Sequence, residues 1–152
     1  MIQARECGNW TILSLLGEGG MGEVFLARHK YLGTPGAVKG LSLFLTRDEK
    51  FRDRFLQEAQ MQAQLRHPHI APVLDYIVEH DQSYLVIEYL SGGSFADLIE
   101  RSNSPLDQGQ ALTWIRQALA ALDYAHQRGV IHRDIKPSNI MLDEHGNAKV
   151  VD

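Results

Sequence analysis

The run Gly17-Glu18-Gly19-Gly20-Met21-Gly22-Glu23-Val24 fits the pattern G-x-G-x-x-G-x-V and leads into a strand. Trp10 to Leu16 and Glu23 to Arg28, on either side of the glycines, are short and rich in Val, Leu, Ile and aromatic residues, as strands are. Without Cβ atoms at Gly17, Gly19 and Gly22, backbone N–H groups can approach phosphate oxygens closely. A dinucleotide-binding βαβ unit uses similar glycines to open a helix, with an acid about 20 residues further on. A strand in that place excludes such a unit. A plain hairpin with glycine turns stays open at this point.

The remaining segments give the order of elements. Gly36 to Leu41 reads as a third strand, and from about Arg47 to Leu65 the spacing of Phe51, Phe55, Met61 and Leu65 is helical until His67-Pro68-His69 breaks it. Val73 to Val78 and Tyr84 to Tyr89 read as two more strands around a polar hairpin turn, Glu79 to Ser83. Five strands and one main helix therefore make a first lobe. Ser91-Gly92-Gly93 loosens the backbone as a linker, and Ser94 caps a short helix through about Glu100. Pro105 and Asp107 open a longer helix that Gly129 stops, with Leu112, Ile115, Leu119 and Leu122 as its core stripe. Val130-Ile131, Ile140 to Leu142 and Lys149 to Val151 read as short strands, the last two around the turn Asp143 to Asn147.

Composition excludes several classes. With 44% hydrophobic and 22% charged residues among 152, the chain has the make-up of a globular protein. A net charge of -4 argues against a nucleic-acid partner, so any phosphate site must be local. The single cysteine, Cys7, cannot form an internal disulfide and reads as a surface or terminal thiol in a reducing compartment. No apolar run reaches the roughly 20 residues a membrane span needs, and MIQARECG lacks the apolar core of a signal peptide. A cytoplasmic location is the expectation.

Two further groups carry chemistry. Lys39 ends the strand segment Ala37-Val38-Lys39, and an ammonium pinned inside a lobe needs an anion. Glu58 lies three and seven residues from Phe55 and Phe51, and the same from Met61 and Leu65, so the pattern predicts it on the apolar face of its helix, paired with Lys39. A solvated helical glutamate is the alternative. Near the end, HRDIKPSN from His132 to Asn139 sets an aspartate, Asp134, five residues before an amide, Asn139. A carboxylate in reach of a hydroxyl can orient it and accept its proton. Asn139 and Asp152 are oxygen ligands of the kind that suits Mg²⁺, which binds few protein oxygens together with substrate phosphates. His132 reads as a residue that holds the loop by packing and hydrogen bonding.

With these residues in place, the chain resembles a serine/threonine protein kinase, of the bacterial eukaryotic-like type, from about Trp10 to its end. The resemblance implies an α+β, protein-kinase-like fold: residues 10–90 as the five-stranded antiparallel N-lobe and hinge, and 91–152 as the opening of a mainly helical C-lobe. It implies ATP and Mg²⁺ as cofactors and Ser/Thr hydroxyls of proteins as acceptors. Gly17, Gly19 and Gly22 would cover the phosphates, Lys39 hold the α and β phosphates, and Glu58 position Lys39. Asp134 would be the base, Lys136 the γ-phosphate contact that favours serine/threonine acceptors, and Asn139 and Asp152 the metal ligands. Val24, Ala37 and Met141 would enclose adenine, Glu88 to Leu90 form the hinge beside it, Ile87 be the gatekeeper, and Arg133 read a phosphorylated activation loop.

Some positions depart from the family pattern. Gly36 and Gln62 stand where apolar residues are usual, and both would loosen the active state. After Asp152 the resemblance implies Phe-Gly, an activation segment and further helices, so the expectation is a partial kinase domain, inactive alone. Regulatory or membrane domains further on are also implied, as many bacterial members carry them. A nucleotide-binding, pseudokinase-like interaction module without transfer activity is the second expectation, and a small-molecule phosphotransferase with a related fold the third.

Overall fold

In a computed structural model of the chain, residues 5–19, 22–102, 105–132 and 134–151 are described. They divide into two compact units, one of Met1–Gln64 and Pro72–Tyr89, the other of Leu65–Ala71 and Leu90–Asp152.

The first unit is an antiparallel sheet with one main helix. Its strands are β1 (Glu6–Cys7), β2 (Trp10–Gly19), β3 (Gly22–His29), β4 (Pro35–Gly40), β5 (Val73–Glu79) and β6 (Gln82–Glu88), in the order β1-β2-β3-β4-β6-β5. The sheet thus has six strands where the sequence predicts five. The addition, β1, pairs Cys7 with Trp10 and is two residues long, too short for alternation to register. Cys7 is accordingly not a surface thiol. It lies buried with Trp10, Ala27, Val38, Tyr84 and Val86.

Alternation along β4 explains both faces of this sheet. Val38 turns into the cluster with Trp10 and Val86, while Ala37 and Lys39 point the other way, opposite Leu26 and Val24 of β3 and Ile87 and Leu85 of β6. Leu85 and Ile87 belong to a second cluster with Leu41, Phe55 and Ala59, so the helix packs on the face that carries Lys39. Gly36 shares the Val38 face, and a Cβ there would lie 2.6 Å from Trp10 Cζ3 and 2.9 Å from Val86 Cγ1. The indole of Trp10 fills the space that an apolar side chain at position 36 would take. Its Nε1 donates to Asp75 Oδ2 at 3.0 Å, tying β2 to β5.

Two helices connect β4 to β5: a single turn, α1 (Leu43–Thr46), and α2 (Glu49–Ala63), capped by the Asp48 carboxylate on Lys50 N–H. The sequence predicts one helix from Arg47 to Leu65. The buried face of α2 is Phe55 and Ala59, whereas Phe51, Glu58 and Met61 are exposed. Leu65 lies beyond the helix end and packs in the second unit with Ile70, Ala118 and Ala121. The stripe that placed Glu58 inside therefore borrowed a residue that belongs to a different core.

The second unit contains α3 (Phe95–Arg101), α4 (Gln108–Gln127), a turn of 3-10 helix (Pro137–Asn139), β7 (Ile140–Leu142) and β8 (Ala148–Val150). Ser94 caps α3 in a reciprocal capping box with Asp97. The segment after Gly92 is bound, not loose: Gly92 N–H donates to Leu142 O and Leu142 N–H to Gly93 O, each at 2.9 Å. β7 and β8 form a two-stranded antiparallel ribbon, and Ile70 pairs with Val150 in parallel on its outer edge. Val130-Ile131 forms no strand; Val130 N–H closes the end of α4 on Ala125 O.

The buried face of α4 is Ala118, Ala121 and Ala125. The predicted core stripe lies about a quarter turn away round the helix: Leu112 is 53% exposed, Ile115 47% and Leu119 59%. Small side chains let α4 approach the ribbon closely enough to bury Leu142, Ala148 and Val150 against it. Among the described residues, no helix is long and apolar enough to cross a membrane.

Candidate active site

In the first unit the glycine-rich segment is the end of the β2–β3 hairpin. Its register pairs Gly17 with Val24, Glu18 with Glu23 and Gly19 with Gly22. Gly22 has φ +150°, and a Cβ on it would fall 1.9 Å from Gly40 O, so this position admits no side chain. Gly17 has open space where its Cβ would be. Gly20 and Met21 lie outside the described residues.

Two strands of the sheet bring Val24 and Lys39 directly opposite each other, with Ala37 two residues away on the same face. Ala37 is buried and pairs with Ile87, the predicted gatekeeper. Glu88 faces Gly36 across the ladder, and its N–H donates to Pro72 O at 3.1 Å. Lys39 is half-buried. Among the described residues no ion pair joins it to Glu58, which is solvent-exposed on α2. The predicted contact is thus not made here, for the reason of helix phase given above. Gln62, the other departure from the family pattern, is half-buried on the Phe55 and Ala59 side of the helix.

In the second unit the loop around Asp134 is held by main-chain and side-chain bonds together. His132 Nε2 lies 2.7 Å from Val151 O, and Asp134 N–H donates to His132 Nδ1 at 3.1 Å. A carbonyl only accepts, so the ring carries its proton on Nε2 and offers the Nδ1 lone pair to Asp134. Asn139, buried at the end of the 3-10 turn, donates Nδ2–H to Asp134 O at 2.9 Å and lies 3.3 Å from Asp134 Oδ2. Val151 N–H donates to Asn139 O at 2.9 Å. Main chain and amide therefore fix the aspartate while its carboxylate stays exposed, with Lys136 Nζ at 3.3 Å from Oδ2.

This arrangement bears on Mg²⁺. Both contacts to Asp134 use Asn139 Nδ2, which orients the amide and leaves Oδ1 as an acceptor, the donor type a hard cation takes. Asn139 fits a ligand's role on that ground. Asp152 and Arg133 lie outside the described residues. Leu90 and Met141, both predicted beside adenine, pack together with Ala71 and Val151.

What the sequence reading missed is main chain. The partner that fixes His132 is the carbonyl of Val151, and backbone groups leave no residue signature. A histidine two residues before a loop aspartate was the only signal available.

Comparison with known proteins extends the pattern over the whole chain. The family described as protein kinase domain matches residues 10–152. The serine/threonine-protein kinase PrkC of Bacillus subtilis is 40% identical over 152 residues, covering 100% of this chain and 23% of PrkC. PknB of Mycobacterium leprae, also a serine/threonine-protein kinase, is 41% identical over 142 residues, 91% of this chain and 23% of PknB. The chain thus spans less than a quarter of the length of these relatives. Among solved structures, the PknI kinase domain of Mycobacterium tuberculosis superposes with a TM-score of 0.82 at 32% identity, over 100% of this chain and 62% of that one.

Proposed function

The chain belongs to the protein kinase family, and from that premise we propose that the protein carrying it transfers the γ-phosphoryl group of ATP to Ser/Thr hydroxyls of proteins. The observation that carries the proposal is the setting of Asp134: an exposed carboxylate whose backbone is fixed by His132 and Asn139 and which has a cationic Lys136 at 3.3 Å. A carboxylate so placed orients an incoming hydroxyl and accepts its proton as the phosphoryl group moves. Lys136 supplies positive charge for the transferring group and, by resemblance to the family, favours Ser/Thr over Tyr acceptors. Asn139 Oδ1 and Asp152 would hold Mg²⁺, which when bound neutralises phosphate charge.

In the first unit, Gly17, Gly19 and Gly22 would offer backbone N–H groups to the phosphates, and Lys39 a cation to the α and β oxygens. Val24 and Ala37 lie on the Lys39 face and are suited to contact adenine; in the second unit, Met141 and Leu90 are the positions that the resemblance to the family assigns to adenine and the hinge. Glu58 would position Lys39 only after α2 turns its exposed flank toward β4. ATP as co-substrate and a single buried thiol suit the cytoplasm.

The test is transfer of labelled γ-phosphate from ATP to a Ser/Thr peptide library by the protein that carries this chain. Asp134→Ala should lower the rate by about a hundredfold to ten-thousandfold, and Lys39→Ala should abolish transfer. Unchanged transfer in either variant overturns the assignment. One observation favours a second reading, a nucleotide-binding module without transfer: Glu58 is exposed and, among the described residues, forms no ion pair with Lys39. Binding of a fluorescent ATP analogue with no labelled product in any Ser/Thr peptide would establish it.

A further inference from the structure

Ala148, the first residue of β8, is fully buried, and its backbone polar groups face away from β7. On that outer edge the next bonds are main chain: Val150 N–H donates to His69 O at 2.8 Å and Ala71 N–H to Val150 O at 3.1 Å. At Ala148 two side chains take over. Gln117 Oε1 of α4 accepts Ala148 N–H at 2.8 Å, and His69 Nδ1 lies 2.9 Å from Ala148 O. The same Gln117 amide donates Nε2–H to Asn147 Oδ1 at 3.2 Å, and Trp114 Nε1–H donates to Gly146 O at 2.9 Å. Every outward polar group of β8 is thus paired, and at its start the pairing rests on Gln117 and His69.

From Ala148 the chain runs through β8 to Val151, just past its end, whose N–H and carbonyl bond Asn139 O and His132 Nε2, the two residues that fix Asp134. A two-stranded ribbon is marginal by itself, so its register depends on what grips its edge. We propose that Gln117 and His69 are positioning residues for Asp134: by clamping the two polar groups of Ala148 they set where β8 lies, and β8 sets the Val151 carbonyl that orients His132. Removing either side chain leaves a buried backbone group unsatisfied, and the strand must shift or admit water to satisfy it.

The inference rests on the role given to Asp134 above, so its test has a readout that does not need that role. In the protein that carries this chain, Gln117→Met and His69→Ala delete one clamp bond each. Gln117→Glu keeps an acceptor for Ala148, and His69→Asn keeps a donor at nearly the same place. Transfer kinetics are measured beside the ¹⁵N–¹H signal of the His132 Nε2 proton, identified by its loss in His132→Gln. The deleting variants should lower kcat roughly tenfold or more with KM for ATP within about twofold, and should shift or broaden the His132 signal. The conservative variants should restore both. The proposal is overturned if Gln117→Met and His69→Ala lower only the melting temperature, with the His132 signal and kcat as in the parent. It is equally overturned if Gln117→Glu and His69→Asn behave like the deletions. If Asp134→Ala retains transfer, the reading of Asp134 fails by itself, and the His132 signal still decides the clamp.

Discussion

The absence of a side chain at position 36 is what gives the indole of Trp10 its place in the first unit. The sequence marked Gly36 as a loosening departure, because an apolar residue is usual there. In the fold the same volume is filled by Trp10, donated from β2 and anchored to Asp75. Gly36→Val should therefore destabilise the chain by about 1–3 kcal/mol, the ordinary cost of overpacking a filled core. A urea midpoint that is unchanged or raised would show that the indole has somewhere to go. Cys7 belongs to the same cluster, and its thiol is pushed up to about 11, by burial first and by the Glu79 carboxylate second, against a smaller lowering by Arg5. At this scale the sequence was a poor guide to which residues are inside, since burial of Cys7 depends on a two-residue strand.

Among the elements, helices gave the largest differences between pattern and fold. The strand segments and the glycine-rich turn between the first two were legible because apolar β-type runs and turn residues are local properties. The facing of α2 and α4 was not. Both carry more than one apolar stripe, and the choice between stripes depends on what lies opposite. On α2, Leu65 completed a stripe it does not belong to. On α4 three alanines won over Leu112, Ile115 and Leu119 because close approach to the β7–β8 ribbon buries more than they themselves contribute, while Leu122 is half-buried. The losing stripe, Leu112, Ile115 and Leu119, is a contiguous exposed apolar surface of the kind that binds hydrophobic dyes and promotes association. The 152-residue chain should bind such a dye in native buffer, and Leu112→Glu with Leu119→Lys should reduce both dye fluorescence and light scattering without lowering the melting temperature. A melting temperature several degrees lower would mean that this stripe is packed after all.

Over the whole molecule the segment Leu65–Ala71 is what makes the second unit discontinuous in sequence. His67 accepts His69 N–H on Nδ1 at 3.0 Å, and its ring lies 5.1 Å from that of Tyr124, on which the Arg128 guanidinium stacks at 3.5 Å. Arg66 N–H also bonds the Tyr124 hydroxyl. Protonation would place a donor against a donor, and the ring's pKa is lowered below 6.5 by burial, then by His69, then by Arg128. A lowered folded pKa means that the unfolded chain binds the proton first as pH falls, so this contribution to stability is present above pH 6.5 and lost as pH falls through the folded value. The urea midpoint should drop between pH 7.5 and 5.5, and His67→Asn should flatten that drop; equal slopes in the two proteins would remove His67 from the account. None of this could be read from His67-Pro68-His69 as a helix stop, because its partners lie on α4 and β8, far along the chain.

The pairing of Ile70 with Val150 also dictates an order of assembly during synthesis. The sheet of the first unit has all its strands once Glu88 has left the ribosome, and its neighbours are mostly adjacent in sequence. The second unit must hold Leu65, Ile70 and Ala71 exposed until β8 emerges, 80 residues after Ile70 (150 minus 70). At roughly 5–20 residues per second that is an interval of about 4–16 s. For those seconds Leu65, Ile70 and Ala71 lack the partners that cover them, which makes the segment between α2 and β5 a natural place for a chaperone to hold the nascent chain and for a ribosomal pause to cause misfolding.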